Sequence, residues 1–226
     1  MIEEPLPTPD EAWQRMLEGN RRFVGEAPEH PHQDVSYRAE LTDGQRPVAA
    51  LLGCSDSRLA AEIIFDLGLG DLFAIRNAGQ MATDSAVASI EYAVELLQTP
   101  LLIVLAHDSC GAVRAAVDST ALNADPLPPH IWKLVAPIVP SARRVLRRSG
   151  GTSVADIDAE LVGLEHLRGT VAELLESSEI ISHAVTSGRL AIVGAKYRLA
   201  DGLAIPVIQV GLSDPDIPTL VKEQSK

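Results

Sequence analysis

The stretch Ala50-Leu51-Leu52-Gly53-Cys54-Ser55-Asp56-Ser57-Arg58 passes directly from an apolar run into a polar loop. Its apolar part belongs to the run Val48–Leu52, which has the length and aliphatic composition of a buried parallel strand. The run Leu101–Leu105 is followed in the same way by Ala106-His107-Asp108-Ser109-Cys110-Gly111. In open α/β sheets, ligands bind where the carboxyl ends of the strands meet. The sequence therefore predicts that both loops belong to one site.

Strand and helix signals alternate along the rest of the chain. Further strands are predicted at Asp71–Ile75, Leu190–Arg198 and Leu203–Val210, the last two joined as a hairpin by an Asp-Gly turn. Helices are predicted at Ala60–Phe65, Asp84–Leu97 with Asp84 as the N-cap candidate, Ile131–Arg148 with an interruption at Pro137 and Pro140, and Asp156–Ser187 as one helix or two. This alternation predicts an α/β fold with a predominantly parallel central sheet, about four parallel strands plus an antiparallel edge strand, flanked by helices.

An N-terminal helical arm is predicted ahead of this sheet. Thr8-Pro9-Asp10-Glu11 has the residues of a helix N-cap and capping box, and apolar residues continue at helical spacings to Val24. We expect one domain over residues 1–226, with arm and connector at 1–45, the α/β core at 46–211 and a tail at 212–226. From Ser213 onward the tail is expected to be mobile or to lie against another subunit.

Composition narrows the range of partners. The chain has 226 residues, 46% of them hydrophobic, and a net charge of −12 from 19 basic and 31 acidic residues. An acidic protein does not bind nucleic acid or anionic membranes through general electrostatics. No apolar run approaches the ~20 residues that span a bilayer, and the acidic, proline-containing N-terminus does not resemble a signal peptide. We expect a cytoplasmic protein whose partners are small molecules and copies of itself.

The only two cysteines of the chain, Cys54 and Cys110, fall in the two predicted site loops. A disulfide is unfavourable in a reducing cytosol, and a Cys-x-x-Cys redox pair is absent. A metal site or a buried structural pair remains. His107, three residues before Cys110, favours the metal site, because two thiolates and an imidazole are a ligand set suited to zinc.

Three protein ligands leave a fourth position on the metal. Water in that position makes a catalytic site, whereas a fourth side chain makes a closed one. Asp56 is the residue that could close the site, and Arg58 could hold the Asp56 carboxylate away by a bidentate ion pair. The sequence leaves both alternatives open.

The two loops together resemble the zinc signature of the β-class carbonic anhydrases, Cys-x-Asp-x-Arg with His-x-x-Cys. The resemblance extends through Gly44-Gln45-Arg46-Pro47, residues 73–79 and residues 89–94, and it spans approximately Ala12 to Val210. One departure is Ala106, because the family usually has glycine before the histidine.

The resemblance implies one zinc ion per chain on Cys54, His107 and Cys110, with Asp56 as a fourth ligand only in a closed state. It implies reversible hydration of carbon dioxide to bicarbonate and a proton by zinc-bound hydroxide, which the Asp56–Arg58 dyad would orient. The implied substrate-binding residues are Gln45, as a hydrogen-bond donor, and the pocket residues Phe73, Ala78 and Tyr92. A homodimer or homotetramer is also implied, with an active site drawn from two subunits and the N-terminal helix lying on the partner.

Two other functions remain compatible with these residues. One is a hydrolase for carbon disulfide or carbonyl sulfide on the same scaffold, and the other is a non-catalytic closed zinc site. Arg58 argues against the closed site, since a permanently bound Asp56 needs no such partner. The late-helix histidines His166 and His183 are interpreted as surface or packing residues.

Overall fold

A five-stranded sheet forms the centre of the protein, and its strand order is β2-β1-β3-β4-β5. The computed structural model describes residues 6–213. The strands are β1 Ala49–Cys54, β2 Leu72–Asn77, β3 Leu101–His107, β4 Ala191–Tyr197 and β5 Ala204–Val210. The first four are parallel and β5 is antiparallel to β4. The predicted fold class is thus confirmed, while the predicted tail beyond residue 213 lies outside the described residues.

Helices cover both faces of the sheet. They are α1 Pro9–Val24, α2 Val35–Glu40, α3 Ala61–Ile64, α4 Asp84–Glu91, α5 Gly111–Asp118, α6 Pro129–Val135, α7 Val139–Ser149, α8 Ala159–Ser177 and α9 Glu179–Thr186. A 3-10 turn at Ala136–Ile138 separates α6 from α7, as the prolines predicted. The cap of α4 is Thr83 rather than Asp84, and a π-helical turn, Tyr92–Leu96, follows α4. Within residues 6–213, no helix is long and apolar enough to cross a membrane.

The inner strands are buried on both faces of the sheet. This burial holds their carboxyl ends, where the candidate site lies, in place. Every residue of β1 and β3 is buried, and alternate side chains enter two separate cores. One core contains Trp13, Leu51, Phe65, Ile103 and Val193. The other contains Leu52, Ile90, Val104, Leu174 and Ile181. Close-packed strands of this kind hold the residues at their ends more precisely than mobile loops do.

Helix α1 packs its apolar face on the core of its own chain. Trp13 and Met16 are 3% and 0% exposed within the first core. The buried Asn20 amide donates to the carbonyl oxygens of Ile64 and Gly202, at 3.1 and 2.8 Å, and its oxygen accepts from the Ala204 N–H at 2.9 Å. These bonds join α1 to α3 and to the β4–β5 hairpin.

Asn20→Ala is expected to lower the free energy of unfolding by about 2–4 kcal/mol, because it leaves buried backbone groups without partners. Urea unfolding measures this loss. Asn123→Ala, at an exposed loop position, serves as the control and should change stability by less than about 0.5 kcal/mol. Equal losses in the two variants would contradict the role assigned to Asn20.

Candidate metal centre

Two neighbouring strand ends bring two cysteines and a histidine together. Cys54 is the last residue of β1, His107 is the last residue of β3, and Cys110 is the N-cap residue of α5. The sulfur atoms and a ring nitrogen of His107 all lie within 4.8 Å of one another. All three residues are buried. The residues have the number, type and spacing that a zinc site requires.

The two thiols have opposite electrostatic environments. Contact with Cys110 lowers the pKa of Cys54, burial opposes this effect, and the neighbouring His107 imidazole and the Gly79 N–H reinforce the lowering. The Gly79 nitrogen lies 3.4 Å from Cys54 Sγ. The same contact and burial raise the pKa of Cys110. Of the two cysteines, Cys110 lies at a helix N-terminus, whereas the loop 55–60 separates Cys54 from α3.

His107 presents one nitrogen to the thiols. Its Nδ1 lies 2.7 Å from the Asp108 carbonyl oxygen, a contact that makes Nδ1–H the donor and leaves the Nε2 lone pair free. Nε2 is buried and has no hydrogen-bond partner in the described part of the chain. Burial acts to lower the pKa of His107, but the adjacent Cys54, together with the Asp108 carbonyl and the Asp56 charge, outweighs burial and raises that pKa. A buried, unpartnered imidazole nitrogen beside two sulfurs fits a metal ligand.

Asp56 and Arg58 form a bidentate ion pair at the edge of this cluster. Arg58 Nε and Nη2 donate to the two Asp56 carboxylate oxygens at 2.8 and 2.7 Å, and the Arg58 N–H donates to Oδ1 at 3.0 Å. The hydrogen bonds from the Arg58 side chain hold the pKa of Asp56 well below its usual range, against a smaller effect of burial. Asp56 Oδ2 lies 4.0 Å from His107 Nε2. The carboxylate is therefore ionised, oriented and next to the ligand cluster.

Arg76 is a site residue that the sequence interpretation did not single out. From β2, its Nε donates to the Cys54 carbonyl oxygen at 3.1 Å and its Nη2 donates to the Asp56 carbonyl oxygen at 2.8 Å. Arg76 thus fixes the backbone of both Cys54 and Asp56. Its membership of the motif at residues 73–79 was a signal of importance, but its contacts depend on the register between β1 and β2.

His166 supports the site from α8 and is a buried packing residue rather than a surface residue. It is 5% exposed, and its Nε2 lies 2.8 Å from the Gly79 carbonyl oxygen. Gly79 has φ +84, and a Cβ at this position would approach the Ala112 Cβ to 3.0 Å. Burial lowers the pKa of His166 despite its bond to Gly79. The neutral ring therefore holds the glycine whose N–H donates to Cys54.

This burial predicts an acid-dependent loss of stability. Because the folded-state pKa of His166 is lowered, the unfolded chain takes up the proton first, at about pH 6.5. The free energy of unfolding should therefore fall below that pH, by up to about 1.4 kcal/mol per pH unit from this group. His166→Gln keeps a donor for Gly79 and should lose less stability between about pH 7.5 and pH 5.5 in urea unfolding. Parallel pH dependences would contradict the prediction.

The predicted substrate-binding residues lie in different environments. Phe73 on β2 stacks on Tyr92, with ring centroids 6.0 Å apart and an interplanar angle of 21°. Ala78 is half-buried directly before Gly79, and Gln45 is exposed ahead of β1. The hydrogen bonds described within residues 6–213 do not join Gln45 to the ligand cluster. The structure thus brings Asp56 and Arg58 to the ligands, and it groups Phe73 with Tyr92.

The sequence of this chain is similar to those of known enzymes. The sequence pattern of the carbonic anhydrase family matches residues 49–204. Carbonic anhydrase 2 of Mycobacterium tuberculosis strain H37Rv is 46% identical over 202 residues, which cover 89% of this chain and 94% of the relative. The carbonic anhydrase of Mycolicibacterium smegmatis is 42% identical over 198 residues, covering 88% and 93% of the two chains.

Solved structures agree with the sequence relationship. The β-carbonic anhydrase CcaA superimposes with a TM-score of 0.65 at 26% identity, covering 86% of this chain and 94% of its own. A tetrameric β-carbonic anhydrase of Sordaria macrospora, at 19% identity, shares the fold with a TM-score of 0.68 over 88% and 99% of the two chains. Together with the Cys-His-Cys cluster at the strand ends, these relationships establish that the chain belongs to the β-class carbonic anhydrases and is an enzyme of that family.

Proposed function

We propose that the chain catalyses the reversible hydration of carbon dioxide to bicarbonate and a proton, with one zinc ion held by Cys54, His107 and Cys110. The observation that carries this proposal is His107, which has a ring nitrogen within 4.8 Å of both sulfurs and whose unpartnered Nε2 lies 4.0 Å from the Asp56 carboxylate. The relatives named carbonic anhydrase support carbon dioxide as the substrate.

Zinc in this site supplies a Lewis acid that makes water a nucleophile near neutral pH. The thiolates of Cys54 and Cys110 donate more charge than imidazoles would, so we expect the activity to rise toward alkaline pH. His107 is fixed as a ligand by its Nδ1–H bond to the Asp108 carbonyl, which is the outer-sphere contact that sets the orientation of a metal-binding imidazole.

Asp56 orients the attacking oxygen by accepting its hydrogen bond. The lone pair of that oxygen then points toward the substrate carbon. Holding the reacting atoms in this orientation lowers the barrier to attack. Arg58 occupies both carboxylate oxygens and keeps Asp56 from becoming a permanent fourth ligand. This bidentate pair is the reason to prefer an open, catalytic site over the non-catalytic closed one.

Carbon dioxide is small and apolar, so its pocket needs exclusion of water more than charge. We assign Phe73, Ala78 and Tyr92 to this pocket. The stack of Phe73 on Tyr92 supports a rigid apolar wall. Gln45 is assigned as the amide that donates to an oxygen of the substrate or bicarbonate.

Turnover of three substrates on one zinc-quantified preparation tests the proposal. Carbon dioxide should be hydrated far faster than carbonyl sulfide or carbon disulfide is hydrolysed. Turnover of either sulfur compound without carbon dioxide hydration would instead support the hydrolase on the same scaffold. Bound zinc without turnover of any of the three would support the closed site.

We further propose that the chain assembles as a homodimer or homotetramer. Strand β2 is at the edge of the sheet, and the neighbouring Tyr92 and Leu96 are 47% and 66% exposed. An open strand edge beside exposed apolar side chains favours association with another copy. A partner at this edge would also cover the Phe73–Tyr92 stack.

Leu96→Glu is expected to weaken this association at least about tenfold, because it buries a charge in an apolar interface. Sedimentation equilibrium of the wild-type and variant chains measures the change. Leu122→Glu, in an exposed turn, is the control. A wild-type chain that is monomeric at micromolar concentration would contradict the assembly.

A further inference from the structure

The turn between His107 and Cys110 decides whether two ligands meet. Asp108 and Ser109 reverse the chain between the end of β3 and the start of α5, and Ser109 has the left-handed φ of +52. A residue with a side chain is strained in this conformation. The surroundings must therefore hold the turn, since a relaxed turn would move Cys110 relative to His107.

Asp108 is held from one side by the β4–β5 hairpin. Its N–H donates to the Tyr197 carbonyl oxygen at 3.3 Å, and its carboxylate accepts from the Leu199 N–H at 3.1 Å. These contacts fix the first half of the turn and leave the strained Ser109 to a different group.

The group that holds Ser109 is the carboxylate of Glu160, which lies on α8, 51 residues after Ser109 in the sequence. Its Oε1 accepts from the Ser109 N–H at 2.9 Å, and its Oε2 accepts from Lys196 Nζ at 2.6 Å. Lys196 lies on β4 in register with Ala106, the residue before His107. The ion pair thus fixes Glu160 to the strand next to the one that carries the ligand.

Open space beside the turn makes the contact between Ser109 and Glu160 more important. A cavity of about 550 Å³ lies beside the turn, and its walls include Ser109, Cys110, Glu160 and Lys196. On this side the turn borders open space rather than packed side chains. The hydrogen bond that Glu160 accepts from the Ser109 N–H is therefore the contact by which α8 holds Ser109.

We propose that Glu160, fixed by Lys196, is a positioning residue of the metal centre that keeps the His107–Cys110 turn in its ligand-bearing conformation. This role rests on the proposed zinc site and extends it to an outer-sphere pair of residues. The hydrogen bonds described for Glu160 and Lys196 within residues 6–213 do not involve the three ligand side chains. Their effect is on how well the ligand set is arranged before zinc binds.

The test is zinc affinity in Glu160→Asp, Glu160→Gln and Lys196→Met, measured by competition with a chromogenic chelator. Glu160→Asp keeps the negative charge at the start of α8 but shortens the reach to Ser109. Loss of an outer-sphere partner weakens metal binding by about 10- to 100-fold, and we expect the lower end of that range for each variant. Cobalt(II)-substituted protein should also show altered visible bands, because these bands respond to ligand geometry.

Glu165→Gln is the matched control. Glu165 lies on the same helix and accepts from Arg144 and Arg148, so its loss removes ion pairs of α8 without touching the turn. Urea unfolding of the zinc-free chains measures their general stability. The proposal requires weaker zinc binding in the three variants at unchanged zinc-free stability, and wild-type affinity in the control.

Three results would overturn the proposal. One is equal zinc affinity of the wild-type chain and Glu160→Asp, and another is an equal loss in the Glu165→Gln control. The third is a wild-type chain that binds no zinc, which would remove the proposed function as well. The wild-type measurement therefore separates failure of the metal centre from failure of the positioning role.

Discussion

Cys110→Ser is expected to weaken zinc binding by more than about a hundredfold and to reduce carbon dioxide hydration to the buffer rate. Loss of an outer-sphere partner already costs about 10- to 100-fold in metal affinity, and this variant removes a ligand. Serine has nearly the shape of cysteine, so the fold should persist. Its hydroxyl, however, does not replace a thiolate as a soft ligand for zinc. Zinc content after dialysis and stopped-flow hydration measure the two effects.

Ser57→Ala is the control for this loss. Ser57 is an exposed residue of the loop after β1, between Asp56 and Arg58, and its replacement should leave zinc content unchanged. A Cys110→Ser protein that keeps one zinc per chain and full activity would show that the catalytic metal lies elsewhere.

Asp56→Asn should separate metal binding from catalysis. We expect one zinc per chain to be retained and kcat/KM for hydration to fall by about 10²- to 10³-fold, the range seen when a preorganised polar group is removed from an active site. Asparagine keeps the shape of the side chain but cannot form the charged bidentate pair with Arg58. Full activity in this variant would contradict the role of the carboxylate.

Arg58→Met gives the complementary result. Without Arg58, both carboxylate oxygens of Asp56 are released next to the ligands, 4.0 Å from His107 Nε2 on one side. We expect hydration to be lost while zinc is retained. Combining this change with Asp56→Asn should add little further loss, because the two residues act as one unit. Additive losses would show that Asp56 and Arg58 act independently.

The sheet and the ligand set could be predicted because both depend on local signals. Uninterrupted aliphatic runs identify strands that are buried on both faces, and their polar ends must meet at one edge of a parallel sheet. The presence of Cys54 and Cys110 in those two loops then identifies the candidate ligands by residue type.

The outer contacts of the site could not be predicted in this way. Arg76 reaches Cys54 and Asp56 because β2 pairs with β1 in one particular register. Glu160 and His166 reach the site from α8 because of how that helix crosses the sheet. Such contacts follow from tertiary packing, and nothing in the residues around Glu160 or His166 distinguishes them from other helix residues.

One local assignment failed for an identifiable physical reason. Thr83 and Asp84 are both good cap residues, and the Thr83 side chain is the one that accepts from the Ala86 N–H. In this chain Asn20 and the apolar face of Trp13 and Met16 hold α1 to its own core.

The most direct test of the central claim is stopped-flow hydration of carbon dioxide by zinc-quantified protein from about pH 6.5 to about pH 9, a span that brackets activation of water by zinc near neutral pH. The same protein is measured after removal of zinc and again after its return. Activity that rises with pH, disappears with the metal and returns in proportion to restored zinc is the predicted result. One zinc per chain with hydration no faster than buffer at any pH would contradict the account.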